Sequence, residues 1–212
     1  MPILDVEKKI SIGYKVGKKS MKEKMWILIL GLCSLTGGRA AEVLLEAESF
    51  GQKGGWVVDQ QFMDRMGSPY LLAHGLGRSV GDAVASVEFP ERGVYHVYAR
   101  TYNWTSPWYA GEGPGRFCLS VDGRRLAAEL GGRGDRWEWQ YAGKVAVRKL
   151  RAEVALHDLT GFDGRCDAIY FSTEMREPPA EATELAAFRD RLSNRPAEPR
   201  DAGEYDLVVV GG

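Results

Sequence analysis

Carboxylate side chains near the two ends of a β-rich region have the types and spacing that could bind a metal ion. Glu46 and Glu48, in LLEAESF, lie two residues apart, so both side chains would point to the same side of a strand. Asp167, with Asp163 close by, lies in GFDGRCDAIYF, and the two segments meet if the first and last strands are neighbours. Such oxygen ligands suit Ca²⁺. We therefore expect Glu46, Glu48 and Asp167 to bind calcium; the alternative is that Glu46 and Glu48 are solvated charges at a strand edge.

A second group of candidate residues lies in the segment RTYNWTSPWYAGEGPGRF, where aromatic residues are mixed with Asn, Ser, Pro and Gly. Aromatic faces in a polar loop stack on the C–H surfaces of sugars, while amides and hydroxyls bind the sugar hydroxyls. The alternative is a loop that folds its aromatic rings back onto the protein or docks them on a neighbouring domain. The candidate ligand-binding residues are Tyr102, Trp104, Trp108 and Tyr109.

No recognisable catalytic centre is present in the sequence. It contains neither Gly-x-Ser-x-Gly nor His-Glu-x-x-His, and His74, His96 and His157 are far apart with no carboxylate at motif spacing. We therefore predict no catalytic residues and interpret the region as a binding or docking module.

The elements that must position these residues are short β-strands. Apolar residues alternate in AVASVEF, GVYHVYARTY and LRAEVALHDL, and this period of two is typical of strands with one buried face. In RFCLSVDGRRL, Asp122-Gly123 supplies the turn of a hairpin. About 130 residues of this pattern without helices predict an all-β, jelly-roll β-sandwich. Trp137, Trp139 and Tyr141 are expected to fill its core.

A different pattern begins after Thr173. Helix-forming residues from Ala182 to Leu192 lie between the pair Pro178-Pro179 and a later Pro196, which predicts a helix of about three turns. Leu185, Phe188 and Leu192 share one stripe, so this helix should pack against another element.

The ends and bulk composition restrict the class of protein. The 212 residues carry a formal net charge of -1, which does not favour a nucleic-acid partner. From Met21, two lysines, the apolar run Met25–Leu35 and small residues before Ala41 predict a signal peptide and export to the periplasm, cell surface or exterior. The apolar run is too short to span a bilayer comfortably, so no stable membrane span is expected after cleavage. Cys118 and Cys166 could pair or be buried singly.

Two resemblances follow from these motifs. The early EAE and the late Gly164, Asp167 and Ile169 resemble the β-sandwich carbohydrate-binding modules that carry a structural calcium, which implies Glu46, Glu48 and Asp167 as its ligands. The final YDLVVVGG resembles the first strand and glycine turn of the FAD-binding Rossmann domain in flavin-dependent oxidoreductases, with Gly211 and Gly212 as the first cofactor-binding glycines. The order of sandwich, helix, linker and this strand resembles secreted bacterial enzymes of that family.

We therefore expect a leader and signal peptide in residues 1–41, a carbohydrate-binding-like sandwich in 42–175, a helical connector and Pro-rich linker in 176–203, and the first strand of a truncated FAD-binding domain in 204–212. The first hypothesis is the amino-terminal fragment of an exported FAD-dependent oxidoreductase, whose sandwich binds glycan or docks on its own flavin domain. The alternatives are a stand-alone secreted carbohydrate-binding protein and a calcium-stabilised adhesion domain.

Overall fold

The computed structural model describes residues 39–193, 201 and 203–207. The predicted signal peptide, most of the Pro-rich linker, and the glycine turn with Gly211 and Gly212 lie outside these residues. The described residues from Ala40 onward form one compact unit. No helix in the described part of the chain is long and apolar enough to cross a membrane.

The described residues form ten strands, two α-helices and a short 3-10 helix, Ala47–Ser49. The strands are β1 (Glu42–Glu46), β2 (Val57–Asp59), β3 (Tyr70–His74), β4 (Ala83–Glu88), β5 (Gly93–Thr101), β6 (Phe117–Val121), β7 (Arg124–Arg125), β8 (Glu138–Val147), β9 (Arg151–Asp158) and β10 (Phe162–Ser172). The helices are α1 (Met63–Met66) and α2 (Ala182–Ser193).

Two antiparallel sheets confirm the predicted β-sandwich. The six-stranded sheet has the order β2-β3-β10-β5-β8, with β1 also paired to β10, and the four-stranded sheet has the order β4-β9-β6-β7. β1 and β10 are direct neighbours, with Glu42 opposite Ser172 and Glu46 opposite Ala168. The first and last strands of the sandwich therefore lie side by side, as the sequence predicts.

Alternating apolar residues build the core between the sheets. In β4, Ala83, Ala85 and Val87 are buried, whereas Ser86 and Glu88 face solvent. Such alternation gives each strand one apolar face, and burial of these faces drives the sheets together. The largest fully buried side chains in this core include Phe50, Tyr95, Phe117, Leu119, Ile169 and Phe171.

A tight turn connects β6 and β7 where the sequence predicts a hairpin. Asp122 and Gly123 have φ of 47° and 72°, and Val121 pairs with Arg124. Positive φ at both central residues matches the twist of the flanking strands, and Asp followed by Gly tolerates it. This prediction is confirmed.

The outer face of the six-stranded sheet is also covered, which explains why β5 is buried on both sides from Tyr95 onward. Leu185 and Phe188 of α2 pack on Tyr98, Trp139 and Tyr170. The helix therefore matches its predicted bounds and its predicted apolar stripe. Packing on this face, rather than propensity alone, stabilises a helix of this length.

Of Trp137, Trp139 and Tyr141, which were expected to fill the core, only Trp139 is buried in a hydrophobic cluster, and this cluster lies on the outer face of the six-stranded sheet. Trp139 lies beneath α2 and donates a hydrogen bond from its indole N–H to the Pro179 carbonyl, 3.0 Å away. Trp137 packs beside Tyr70 on the outer face, and Tyr141 is partly exposed. A period of two assigns these side chains to one face but does not say which face.

Candidate functional site

The β5–β6 loop (residues 102–116) carries the four predicted ligand-binding residues. Its backbone is fixed near Asn103, whose side chain is buried. The Asn103 amide oxygen accepts hydrogen bonds from the Thr105 backbone N–H at 3.2 Å and the Thr105 hydroxyl at 2.8 Å. The Thr105 carbonyl in turn accepts from the backbone N–H groups of Trp108 and Tyr109. These contacts hold the tip of the loop in one turn conformation.

Contacts with two other connections hold the rest of the loop in place. The Thr160 hydroxyl donates to the Pro114 carbonyl at 2.5 Å, and the Gly113 N–H donates to the Gly132 carbonyl at 2.7 Å. A Cβ at Gly113 would lie 1.9 Å from the Asn103 amide oxygen, so only glycine fits there. Although long, the loop is held by buried and inter-loop hydrogen bonds.

Trp108 and Tyr109 are the exposed aromatic residues of this loop. Their exposed fractions are 80% and 60%. The Tyr109 ring lies against Gly111, where a Cβ would be 2.4 Å from a ring carbon. One side of this ring therefore rests on backbone while much of the residue faces solvent.

A groove with a volume of about 670 Å³ begins beside Tyr109. It runs between the β5–β6 loop and residues 132–135, which precede β8. Arg133 and Glu112 form an exposed ion pair at 3.1 Å at this groove, and Asp135 adds a further carboxylate to its lining. Guanidinium and carboxylate groups offer hydrogen-bond donors and acceptors to a polar ligand.

Tyr102 has protein partners instead of an open face. Its ring stacks on Trp137, with centroids 5.6 Å apart and planes at 29°, and meets Phe62 edge-on at 5.7 Å. These rings belong to the aromatic cluster on the outer face that includes Tyr70. Burial raises the pKa of Tyr70 to about 12. For Tyr102 the geometry favours the alternative in which the loop folds aromatic rings back onto the protein.

Trp104 is also held by the protein. Its indole N–H donates to the Phe162 carbonyl at 3.0 Å, and the Arg165 guanidinium lies 5.6 Å from the centre of its ring. The four predicted residues therefore divide into two kinds, Trp108 and Tyr109 with exposed surface and Tyr102 and Trp104 with internal partners. Their role as ligand contacts stays a prediction.

Sequence reasoning missed the second wall of the groove. Arg133 and Asp135 lie in GGRGD, between β7 and β8. Gly131 and Gly134 have φ of 83° and 80°, which glycine adopts readily. Closely spaced glycines interleaved with charges were a usable sign of a tight, functional turn, but nothing in the sequence connects this turn to the β5–β6 loop.

Two of the three predicted metal ligands, Glu46 and Asp167, lie in a buried ion cluster, which consists of Glu46, Ser68, Arg100, Asp167 and Arg189. The third, Glu48, lies in the short 3-10 helix Ala47–Ser49. Asp167 is fully buried, and its Oδ2 is 2.8 Å from Arg100 Nη1 and 2.5 Å from Arg189 Nη2. Its Oδ1 accepts from the Ser68 hydroxyl at 3.0 Å. Glu46 Oε1 is 3.4 Å from Arg189 Nε. Two guanidinium groups therefore surround the carboxylate that was expected to bind calcium.

As arranged, the surroundings of Asp167 do not fit a calcium ion. A divalent cation at Asp167 would lie beside two positive charges in a buried site, where repulsion is weakly screened. No group of three or more His, Cys, Asp or Glu side chains among the residues that the structure describes could hold a metal ion. Asp163, the further candidate, instead pairs with His74 at 2.7 Å.

Cys118 and Cys166 are free and buried. Cys166 lies in the core between the sheets. Burial raises the pKa of its thiol well above the usual value, and the negative charges of Asp167 and Glu48 raise it further. Burial also raises the pKa of Cys118. These residues therefore act as small core side chains, the second of the two alternatives.

No protein-family model matches the sequence, and no curated protein matches it. Among solved structures, the chain is similar to a GH26-CBM35 β-(1,4)-mannanase from Podospora anserina, with 18% identity, a TM-score of 0.48, and coverage of 66% of this chain and 29% of that one. It is also similar to a family 35 carbohydrate-binding module from Clostridium thermocellum, with 17% identity, a TM-score of 0.47, and coverage of 62% and 97%. It is similar as well to the CBM35 from Cellvibrio japonicus Abf62, with 17% identity, a TM-score of 0.47, and coverage of 62% of this chain and 92% of that one. The chain thus spans under a third of the mannanase and nearly all of the two modules.

Proposed function

We propose that the sandwich is a non-catalytic glycan-binding module whose ligand contacts come from the β5–β6 loop and the adjoining groove. The observation that carries this proposal is the exposure of Trp108 and Tyr109, 80% and 60%, on a backbone fixed by buried Asn103. Exposed aromatic residues next to polar groups are typical of binding surfaces. Because hydrogen bonds already fix the loop, little further conformational entropy would be lost when a ligand binds.

The groove supplies the polar half of the proposed site. Sugar rings present C–H faces that stack on aromatic rings and hydroxyls that exchange hydrogen bonds with charged side chains. Glu112, Arg133 and Asp135 line the groove beside Tyr109, so a saccharide stacked on the tyrosine would reach them. A ligand that has both C–H faces and hydroxyls can contact the tyrosine ring and the charged side chains at once, whereas a purely apolar or purely ionic ligand can contact only one of the two.

The test is an isothermal calorimetric titration of the full chain with soluble neutral and acidic polysaccharides. We expect binding by at least one polysaccharide, and we expect the W108A/Y109A variant to lose it at an unchanged melting temperature. Val94→Ala is the matched control, because Val94 is also exposed but lies near the start of β5, at the opposite end of the sandwich. Failure of every polysaccharide to bind would contradict the proposal and favour docking of the loop on another domain.

We further propose that this module is the amino-terminal part of an exported FAD-dependent oxidoreductase. Its support is the sequence YDLVVVGG at residues 205–212, and a stand-alone binding module is equally consistent with the fold. Sequencing the gene beyond the Gly212 codon separates the two. Continuation as Gly-x-x-Gly, with a helix and an acidic residue about 20 positions on, supports the flavoenzyme. An immediate stop codon supports the stand-alone module.

A further inference from the structure

The guanidinium of Arg189 is surrounded by oxygen atoms from three separate parts of the sandwich. It contacts Asp167 Oδ2 on β10, and it donates to the Met66 carbonyl at 3.1 Å and to the Ser68 hydroxyl between α1 and β3. Its Nε lies 3.4 Å from Glu46 Oε1 at the end of β1. Carboxylate, carbonyl and hydroxyl oxygens are also the ligands of a hard metal ion, but here they surround an organic cation.

The buried ion cluster contains equal numbers of acidic and basic side chains. Asp167 and Glu46 provide two negative charges, and Arg100 and Arg189 provide two positive charges, with side-chain exposures of at most 16%. Buried charges are tolerated when they are paired and hydrogen-bonded. A planar guanidinium with five N–H donors can bridge several acceptors at once, whereas an ammonium group acts as a point charge.

We infer that Arg189 is the resident cation of this site, taking the place that the sequence predicts for calcium, and that it fastens α2 to the sandwich. The contacts link residues 22 to 123 positions apart, so they tie the helix to β10 and to the α1–β3 connection together. The helix is then part of the module and not a loose connector, and the module needs no divalent metal. This inference does not depend on glycan binding.

The first test follows the melting temperature of the unaltered chain in calcium and in EDTA. At about 10 mM Ca²⁺, well above the dissociation constants of typical extracellular calcium sites, bound metal would raise the melting temperature by about 3 to 5 °C. We expect no difference between the two conditions. A calcium-dependent rise, or stoichiometric calcium binding by calorimetry, would overturn the inference without any mutation.

The second test compares Arg189→Met with Arg191→Met by thermal melting and by hydrogen exchange of residues 182–193. Arg191 is the matched control because it lies on the same helix but pairs with Glu42 near the surface. Loss of Arg189 leaves Asp167 with one cation. We therefore expect the melting temperature to fall by about 10 °C and the helix amides to exchange at least about tenfold faster. Arg191→Met should change both much less.

A conservative variant keeps this second test informative if Arg189→Met fails to fold. Arg189→Lys retains the charge but cannot bridge Met66, Ser68 and Asp167 together, so we expect an intermediate melting temperature and faster exchange confined to α2. Unchanged exchange in Arg189→Lys and Arg189→Met, or equal effects of Arg189→Met and Arg191→Met, would show that the guanidinium does not fasten the helix.

Discussion

The buried ion cluster and the β5–β6 loop use polar and aromatic residues in opposite ways. In the cluster every carboxylate oxygen of Asp167 is within hydrogen-bonding distance of a protein donor, and solvent is excluded. In the loop the hydrogen bonds hold the backbone in place, and the side chains of Trp108 and Tyr109 remain largely exposed. The charged side chains of the cluster bind one another, whereas the two exposed aromatic side chains of the loop remain accessible to a ligand.

The aromatic residues repeat this contrast. Tyr102 and Trp137 stack on each other, and Trp139 and Tyr170 support α2. Trp108 makes no ring contact with another aromatic side chain among the described residues. The aromatic residue types therefore do not distinguish the rings that pack inside this protein from those that face solvent. The exposed fraction of each side chain does.

The largest expected effect tests the ion cluster. Asp167→Asn leaves the guanidinium groups of Arg100 and Arg189 facing a neutral amide in a buried site. We expect the free energy of unfolding, measured by urea denaturation, to fall by about 3 to 5 kcal/mol. Asp163→Asn, which breaks the more exposed pair with His74, should cost less than about 1 kcal/mol. Equal losses in the two variants would remove the distinction between buried and exposed carboxylates.

A smaller effect is expected from the tyrosines of the outer face at high pH. The pKa of Tyr70 and of Tyr170 is raised to about 12, mainly by burial, and Tyr170 donates a hydrogen bond to Glu42. Each contributes stability that is complete below pH 10 and is lost as the pH rises from 10 towards 12. We expect the melting temperature to fall over this range. The fall should be shallower in Tyr170→Phe than in the control Tyr109→Phe; identical slopes would exclude Tyr170 as a contributor.

The smallest expected effect separates the two kinds of aromatic residue within one loop. Tyr102→Ala removes a ring from a packed cluster, and we expect the free energy of unfolding to fall by about 1 to 2 kcal/mol. Trp108→Ala removes an exposed ring, and the change should stay within about 0.5 kcal/mol. A large loss in Trp108→Ala would mean that this ring supports the loop and would weaken the proposed platform.

Much of the fold follows from local sequence signals. The alternation at Ala83, Ala85 and Val87 indicates a strand with one buried face. Asp122-Gly123 indicates the turn between β6 and β7, because both residues tolerate the positive φ that this turn requires. The helix between Pro179 and Pro196 is equally local, because prolines restrict where a helix begins and ends. Each of these signals concerns residues that are close together in the chain.

The site was less predictable because its geometry depends on distant contacts. The motif containing Asp167 gives no sign that Arg189 and Arg100 would bind it from other elements. Trp104 and Trp108 occur in the same polar segment, and only the position of the Phe162 carbonyl gives one of them an internal partner. Pairings of this kind are set by tertiary structure, which a single sequence does not display.

The pairing of β1 with β10 also determines how this module can be attached to other structures. Ala41 and Thr173, where the chain enters and leaves the sandwich, exchange two hydrogen bonds of 3.0 and 3.1 Å. Glu42 pairs with Ser172 at this pole, whereas Thr101 pairs with Cys166 at the other. The β5–β6 loop therefore projects from the pole opposite Ala41 and Thr173. A partner joined to the chain ahead of Ala41 would leave Trp108 and Tyr109 facing outward at the far pole.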